Sequence, residues 1–144
     1  MPSWVEEATG EYIKRMPAEL KVEFREIPLA KRGRDNNPEV ARLKEAQQIL
    51  EAIPSGDQVI ALEVGGKSWD TSQLAAQLEK WQMSGANYSL LVGGPDGLDP
   101  RCLQRAQQQW SLSPLTLPHP LVRVVLVEQL YRAWTILNHH PYHR

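Results

Sequence analysis

Side chains able to do covalent or acid–base chemistry are sparse in this chain, and their spacing matches none of the familiar catalytic patterns. The single cysteine, Cys102, falls with Leu103 and Ala106 on one face of a helical segment, the setting of a packed thiol rather than a nucleophile. No Gly-x-Ser-x-Gly elbow occurs, and nothing in the spacing of Ser113, His119 and Asp99 recommends them as a triad. Neighbouring carboxylates such as Glu6 and Glu7 fall on exposed helix faces. All four histidines stand at or after position 119, three of them in the tail His139-His140-Pro141-Tyr142-His143-Arg144. Three imidazoles so close together, with no Asp or Glu beside them, fit metal-ligand spacing poorly, so no metal is expected. The tail reads either as a polar terminus or as an aromatic, basic group suited to an unstacked base and a phosphate.

What remains is chemistry done by backbone. Gly93-Gly-Pro-Asp-Gly97 follows an apolar run and could cradle a ligand with its amides. Its glycine spacing is neither the dinucleotide fingerprint nor a Walker loop, and a tight turn is the plainer reading. A second stretch, Trp110-Ser-Leu-Ser-Pro-Leu-Thr-Leu-Pro-His-Pro-Leu-Val-Arg123, carries prolines at 114, 118 and 120 yet is otherwise apolar. Proline removes a backbone donor and fixes φ, which excludes the middle of an ordinary strand. Leu112, Leu115 and Leu117 argue against a solvent loop. The expectation is an irregular segment held inside the fold, whose backbone groups must find partners or face a ligand.

The elements that position these stretches alternate. Ser3-Trp4-Val5-Glu6 has the form of a capping box opening a helix that carries Val5, Ala8, Tyr12 and Met16 and closes at Pro17. Leu20, Val22 and Phe24 alternate with charged residues as in a half-buried strand, before a polar loop over 28–37 that holds the basic run Lys31-Arg32-Gly33-Arg34. Pro38 opens a second helix with Val40, Leu43, Leu50 and Ile53 on its buried face. Val59-Ile-Ala-Leu62 suits a parallel strand buried on both sides, broken by Gly65-Gly66. A helix over 72–82 with Leu74, Leu78 and Trp81 stops at Gly85, and Tyr88 to Val92 is the next strand. Asp99-Pro100 caps a short helix, and Pro120 starts the last one, reaching about Asn138. The fold class is therefore α/β with a mainly parallel sheet, in one domain, with ligands expected beyond the carboxyl ends of the strands. Leu62 to Gly66, Gly93 to Gly97 and the proline-rich stretch converge there.

At 144 residues, 42% apolar and 23% charged, the chain has the composition of a folded globular protein. No apolar run has the length of a membrane span, no signal peptide precedes the first helix, and the single cysteine suits a reducing cytosol. A net charge of −1 gives no electrostatic footprint for naked nucleic acid. The last helix is apolar on nearly every face, with Glu128, Arg132 and Thr135 as a narrow polar stripe and Arg123 on the opposite side among hydrophobes. Such a helix buries more than one face. A second copy across a two-fold axis covers the extra face most simply, and the central helix of a monomer is the alternative.

Leu91-Val-Gly-Gly-Pro-Asp-Gly97, the stretch Ser111 to Val124, Glu128-Gln-Leu-Tyr-Arg-Ala-Trp134 and the His-Pro-Tyr-His-Arg ending together resemble the RlmH family along the whole chain. These are bacterial ribosomal RNA methyltransferases of the knotted SPOUT class, acting on N3 of a pseudouridine. The resemblance implies a deep C-terminal trefoil knot, a cytoplasmic homodimer, 23S rRNA in the assembled ribosome as partner, and no membrane. It implies S-adenosylmethionine as methyl donor, with S-adenosylhomocysteine as product. By motif, the cofactor contacts fall on Leu62, Gly93, Leu112, Ser113, Pro114, Leu115, Thr116 and Leu117. An activated methyl needs positioning rather than a covalent enzyme intermediate, which accounts for the missing nucleophile. Arg123, Tyr142 and His143 are the expected catalytic group, orienting the base and favouring its anion as the N3 proton leaves.

One departure stands out. The family begins with a strand of about ten residues that belongs to its sheet, whereas this sequence starts at Met1-Pro2-Ser3-Trp4, already at the first helix. A start site assigned too late, with Met1 an internal methionine, is the favoured explanation. The competing functions are methylation of another RNA, such as a tRNA ribose, and a non-catalytic ribosome-binding or assembly module.

Overall fold

The computed structural model of the chain describes residues 1–28, 38–93 and 97–143. Helices α1 (Ser3–Ile13) and α2 (Pro38–Ala52) precede strand β1 (Gln58–Ser68), α3 (Thr71–Ser84) and β2 (Tyr88–Leu91). Then come α4 (Pro100–Arg105), β3 (Gln108–Ser111), α5 (His119–Leu137) and a single 3₁₀ turn (Pro141–His143). The basic run at 31–34 and residues 94–96 of the glycine loop lie outside the described residues. The sheet has the order β2-β1-β3, with both pairs parallel and helices flanking it. No helix among the described residues is long and apolar enough to cross a membrane.

β1 is central, and its side chains divide between two cores, as the two-residue period of a strand requires. Ile60 joins Leu74, Leu78, Trp81, Trp110, Leu126 and Leu130 beneath α3 and α5. Val59 and Ala61 face the other way, onto Ala46, Leu91, Leu98 and Cys102 beneath α2 and α4. Local chemistry sets the helix ends. Asp70 Oδ1 accepts the Gln73 N–H at 2.8 Å, Gln73 Oε1 accepts the Asp70 N–H at 2.9 Å, and Gly85 ends α3 at φ 72°. Asp99 Oδ1 accepts the Arg101 N–H at 2.9 Å, with Pro100 opening α4. Cys102 is fully buried, and burial, followed by the nearby Asp99 charge, pushes its thiol pKa up.

Several expectations are corrected. Ser3 lies inside α1, behind Pro2, so no side-chain cap forms, and the helix ends at Ile13 rather than at Pro17. Proline disfavours helical geometry in the residue before it, and Lys14 to Met16 unwind into a turn. Residues 20–25 form no strand. Leu20 and Val22 pack on the α3–α5 core, but residues 21–28 make no backbone–backbone hydrogen bond among the described residues. Alternation chooses which side chains turn inward; a ladder also needs a neighbouring strand.

Gly65-Gly66 does not end β1. Leu62 and Lys67 both stand opposite Trp110, so four residues bulge between them. A Cβ on Gly66 would lie 2.7 Å from the Gln109 carbonyl carbon, so glycine is what permits this approach to β3. Trp110 and Ser111, expected to open the irregular stretch, belong to β3; the prolines all follow it. On α2 the buried residues are Ala41, Glu45 and Ala46, whereas Val40 is exposed.

Candidate active site

Strand register brings the predicted cofactor segments to one edge. Leu91 stands opposite Ala61 and Trp110 opposite Leu62, so Gly93 and Leu112 leave the parallel sheet on the same side, each two residues further on. Leu62, Val92 and Leu112 all rest on the α3–α5 core. At Gly93 a Cβ would meet the Gly97 carbonyl carbon at 2.6 Å, so the close approach of Gly97 leaves no room for a side chain at 93. Ser111 Oγ donates to the Ser113 carbonyl at 2.9 Å, and Ser113 Oγ accepts the Leu115 N–H at 2.9 Å, which fixes the first turn of the proline-rich loop.

That loop is not enclosed, contrary to expectation. Pro114, Leu115 and Thr116 are exposed, Leu115 to 72%. Prolines at 114 and 118 stiffen the chain, and Leu112 and Leu117 are half-buried while Leu115 is left without cover among the described residues. The backbone N–H groups of Thr116 and Leu117 have no partner among the described residues. Apolar side chains beside a few backbone polar groups are the usual lining of a small-ligand site.

α5 leaves this loop at His119, and Arg123 lies just over one turn along it. Its Nη1 donates to Glu26 Oε1 at 2.9 Å, and its guanidinium carbon sits 5.9 Å from the Phe24 ring centroid. The hydrogen bond from Arg123, then the charge of the Met1 amine at 3.6 Å, holds the Glu26 carboxyl below its usual pKa. Burial, then repulsion from Arg123, lowers the pKa of His119 and favours its neutral form.

The tail occupies the other end of α5. Tyr142 meets Tyr131 edge-on at 4.7 Å, lies 5.1 Å from the Arg132 guanidinium carbon, and donates its hydroxyl hydrogen to the Tyr12 hydroxyl oxygen at 3.3 Å. Burial, then this hydrogen bond, pushes its pKa up to about 12. Arg132 Nε in turn donates to Glu128 at 2.7 Å. His143 Nδ1 is buried without a hydrogen-bond partner among the described residues. No hydrogen bond or ring contact links Arg123 to Tyr142 or His143 among the described residues. Tyr142 packs against Tyr131, eight residues along α5 from Arg123, about 12 Å at the helical rise of ~1.5 Å per residue. The sequence reading singled out the Glu128–Arg132 stripe but not its contact with Tyr142, which depends on the chain doubling back after Leu137. The spacing of four on a helix was the available signal.

Parallel strands whose ends meet a proline-stiffened loop define an α/β domain, a class that takes its ligands beyond the carboxyl ends of the strands. A family model described as "Predicted SPOUT methyltransferase" matches residues 1–143. The chain is 62% identical over 144 residues to the ribosomal RNA large subunit methyltransferase H of Marinomonas sp. (strain MWYL1), covering all of this chain and 93% of that protein. Proteins of the same name from Hahella chejuensis (strain KCTC 2396) and Ectopseudomonas mendocina (strain ymp) are 59% and 56% identical, with all of this chain and 92% and 93% of theirs covered. The chain belongs to the SPOUT methyltransferase family.

Proposed function

We propose that this chain methylates N3 of a pseudouridine in 23S rRNA of the assembled ribosome, using S-adenosylmethionine and releasing S-adenosylhomocysteine. It works as a cytoplasmic homodimer, each copy a single domain closed by a deep trefoil knot. The observation that carries this reading is the convergence of Leu62, Gly93 and the loop from Leu112 to Leu117 at one sheet edge, in a chain that matches the named rRNA methyltransferases along its full length.

The residues would hold the cofactor through the backbone of Leu62, Gly93, Thr116 and Leu117, with Leu112, Leu115 and Leu117 against its apolar surfaces and Ser113 and Pro114 fixing the loop. When bound, S-adenosylmethionine supplies an electrophilic methyl group on sulfonium. The protein's own task is to place N3 of the base in line and to stabilise the anion left as its proton departs. Arg123 does so by charge-assisted hydrogen bonding, and Tyr142 and His143 orient the nucleotide. Because Arg123 makes no contact with Tyr142 within one protomer, the complete site takes Arg123 from one protomer and the tail from its partner, which an antiparallel pairing of the two α5 helices provides. Exposed Trp4 and Leu121, at the starts of α1 and α5, support burial against a second copy.

The test is incubation of the protein with S-adenosylmethionine and ribosomes that lack the modification, followed by mass spectrometry of the rRNA. One added methyl on a single pseudouridine is the expected result. Methylation of tRNA ribose instead, or cofactor binding without transfer, replaces this reading with one of its alternatives.

A further inference from the structure

A cavity of about 250 Å³ lies between the start of α1, the segment after it and α5, lined by Val5, Thr9, Phe24, Glu26 and Arg123 among others. Ligand pockets for drug-sized molecules run to ~300–1,000 Å³, so this space is on the scale of one nucleobase. Two of its lining groups, the Phe24 ring and the Arg123 guanidinium, are flat surfaces of the kind on which unstacked bases lie. Between them the Arg123–Glu26 pair presents a donor and an acceptor side by side.

Resting on the proposed function, we infer that Glu26 is the residue that distinguishes pseudouridine from uridine, by accepting the N1–H that only pseudouridine carries. Pseudouridine joins its ribose through C5, which frees N1 to bear a hydrogen. Uridine presents a C5–H at the corresponding place. The two bases share N3–H and both carbonyls, so a hydrogen-bond acceptor aimed at N1 is what tells them apart.

Glu26 has the properties this requires. Its Oε1 takes Arg123 and lies 3.6 Å from the Met1 amine, whereas Oε2 has no hydrogen-bond partner among the described residues. An ionised carboxylate only accepts, and the hydrogen bond from Arg123 holds this one below its usual pKa. Its side chain is 54% exposed, within reach of an incoming base. The edge of pseudouridine places N1–H next to O2, a donor beside an acceptor, complementary to Glu26 beside Arg123. Charge leaving N3 with its proton's departure spreads onto O2, so the same pairing aligns Arg123 with the developing anion. Uridine would leave the carboxylate facing a C–H, with a polar group desolvated and unpaired.

The test uses single-turnover methylation of two ribosome preparations, one with unmethylated pseudouridine at the target position and one with uridine there. The unaltered protein should prefer pseudouridine by roughly 10-fold or more, the range set by one charged hydrogen bond. Glu26→Ala should slow pseudouridine more than uridine by that factor, so the ratio falls towards one. Glu26→Gln, whose amide oxygen still accepts, should keep part of the preference. Loss of folded protein scales both rates alike and leaves the ratio readable. Equal slowing on both substrates in both variants, down to complete loss, would assign Glu26 to supporting Arg123 alone and overturn the inference. If the unaltered protein methylates neither preparation, the pseudouridine reading itself fails and the inference falls with it.

Discussion

The two ends of α5 carry the same three kinds of group, an arginine, a glutamate and an aromatic ring, assembled in different ways. At the C-terminal end Arg132 and Glu128 are one helical turn apart, and Tyr142 is brought in by a chain reversal a few residues later. At the N-terminal end Arg123 reaches Glu26 and Phe24 from across the fold, 97 residues away in sequence for the carboxylate. In the first cluster the Glu128–Arg132 pair is local to α5, with Tyr142 tied in addition to Tyr12. The second exists only when the segment after α1 is in place. A charge held by a distant partner reports on the assembled fold, which suits a group that must meet substrate in one geometry.

The comparison can be broken at either end. The largest effect is expected from Arg123→Ala, which should cut single-turnover methylation of ribosomes by about 100-fold or more, the scale of removing one donor to a developing anion. Its partner is half-exposed, so the thermal midpoint should change little. Tyr142→Phe and His143→Ala should each cost a smaller factor, roughly 10-fold, as expected for groups that orient rather than carry charge. If the site is shared across a two-fold axis, mixed dimers of Arg123→Ala with His143→Ala should regain activity at one of their two sites.

A titration sharpens the C-terminal cluster without reference to activity. Phenolate absorbance should show Tyr142 ionising near 12. Because its folded pKa is raised above the ordinary value of 10.0, the stability it contributes is fully present below pH 10 and is lost as pH rises through about 12. Tyr12→Phe removes the hydrogen bond and should move the titration back towards 10.0, leaving the larger effect of burial. The smallest effect is expected at His139, which ends α5 at φ 57°. There the N–H groups of His139 and His140 bond to the carbonyls of Ile136 and Thr135, the pairing of a Schellman turn. His139→Gly should raise stability by up to about 1 kcal/mol in a thermal melt, because glycine adopts this conformation without a Cβ clash.

Much of the fold, including the convergence of three segments at the strand ends, was legible in the sequence, for physical reasons that also explain what was not. Val59 to Leu62 read as a doubly buried strand because helices on both faces leave no polar position in it. Gly85 and Asp99 marked helix ends because capping is chemistry between neighbours, whereas the Asp70–Gln73 capping box went unread. Residues 20–25 misled because alternation describes side chains and a strand is made by backbone partners. Trp110 and Ser111 were hidden by the prolines that follow them, and the exposure of Leu115 by the assumption that apolar residues are covered within one chain. The pairing of Arg123 with Glu26 had no local signal.

The most direct measurement is mass spectrometry of 23S rRNA after unmodified ribosomes are incubated with the protein and S-adenosylmethionine carrying a labelled methyl group. The account predicts one labelled methyl, on N3 of one pseudouridine, and about 100-fold slower labelling with the Arg123→Ala protein. Label on a ribose or on another base, or equal label with the Arg123→Ala protein, would contradict it.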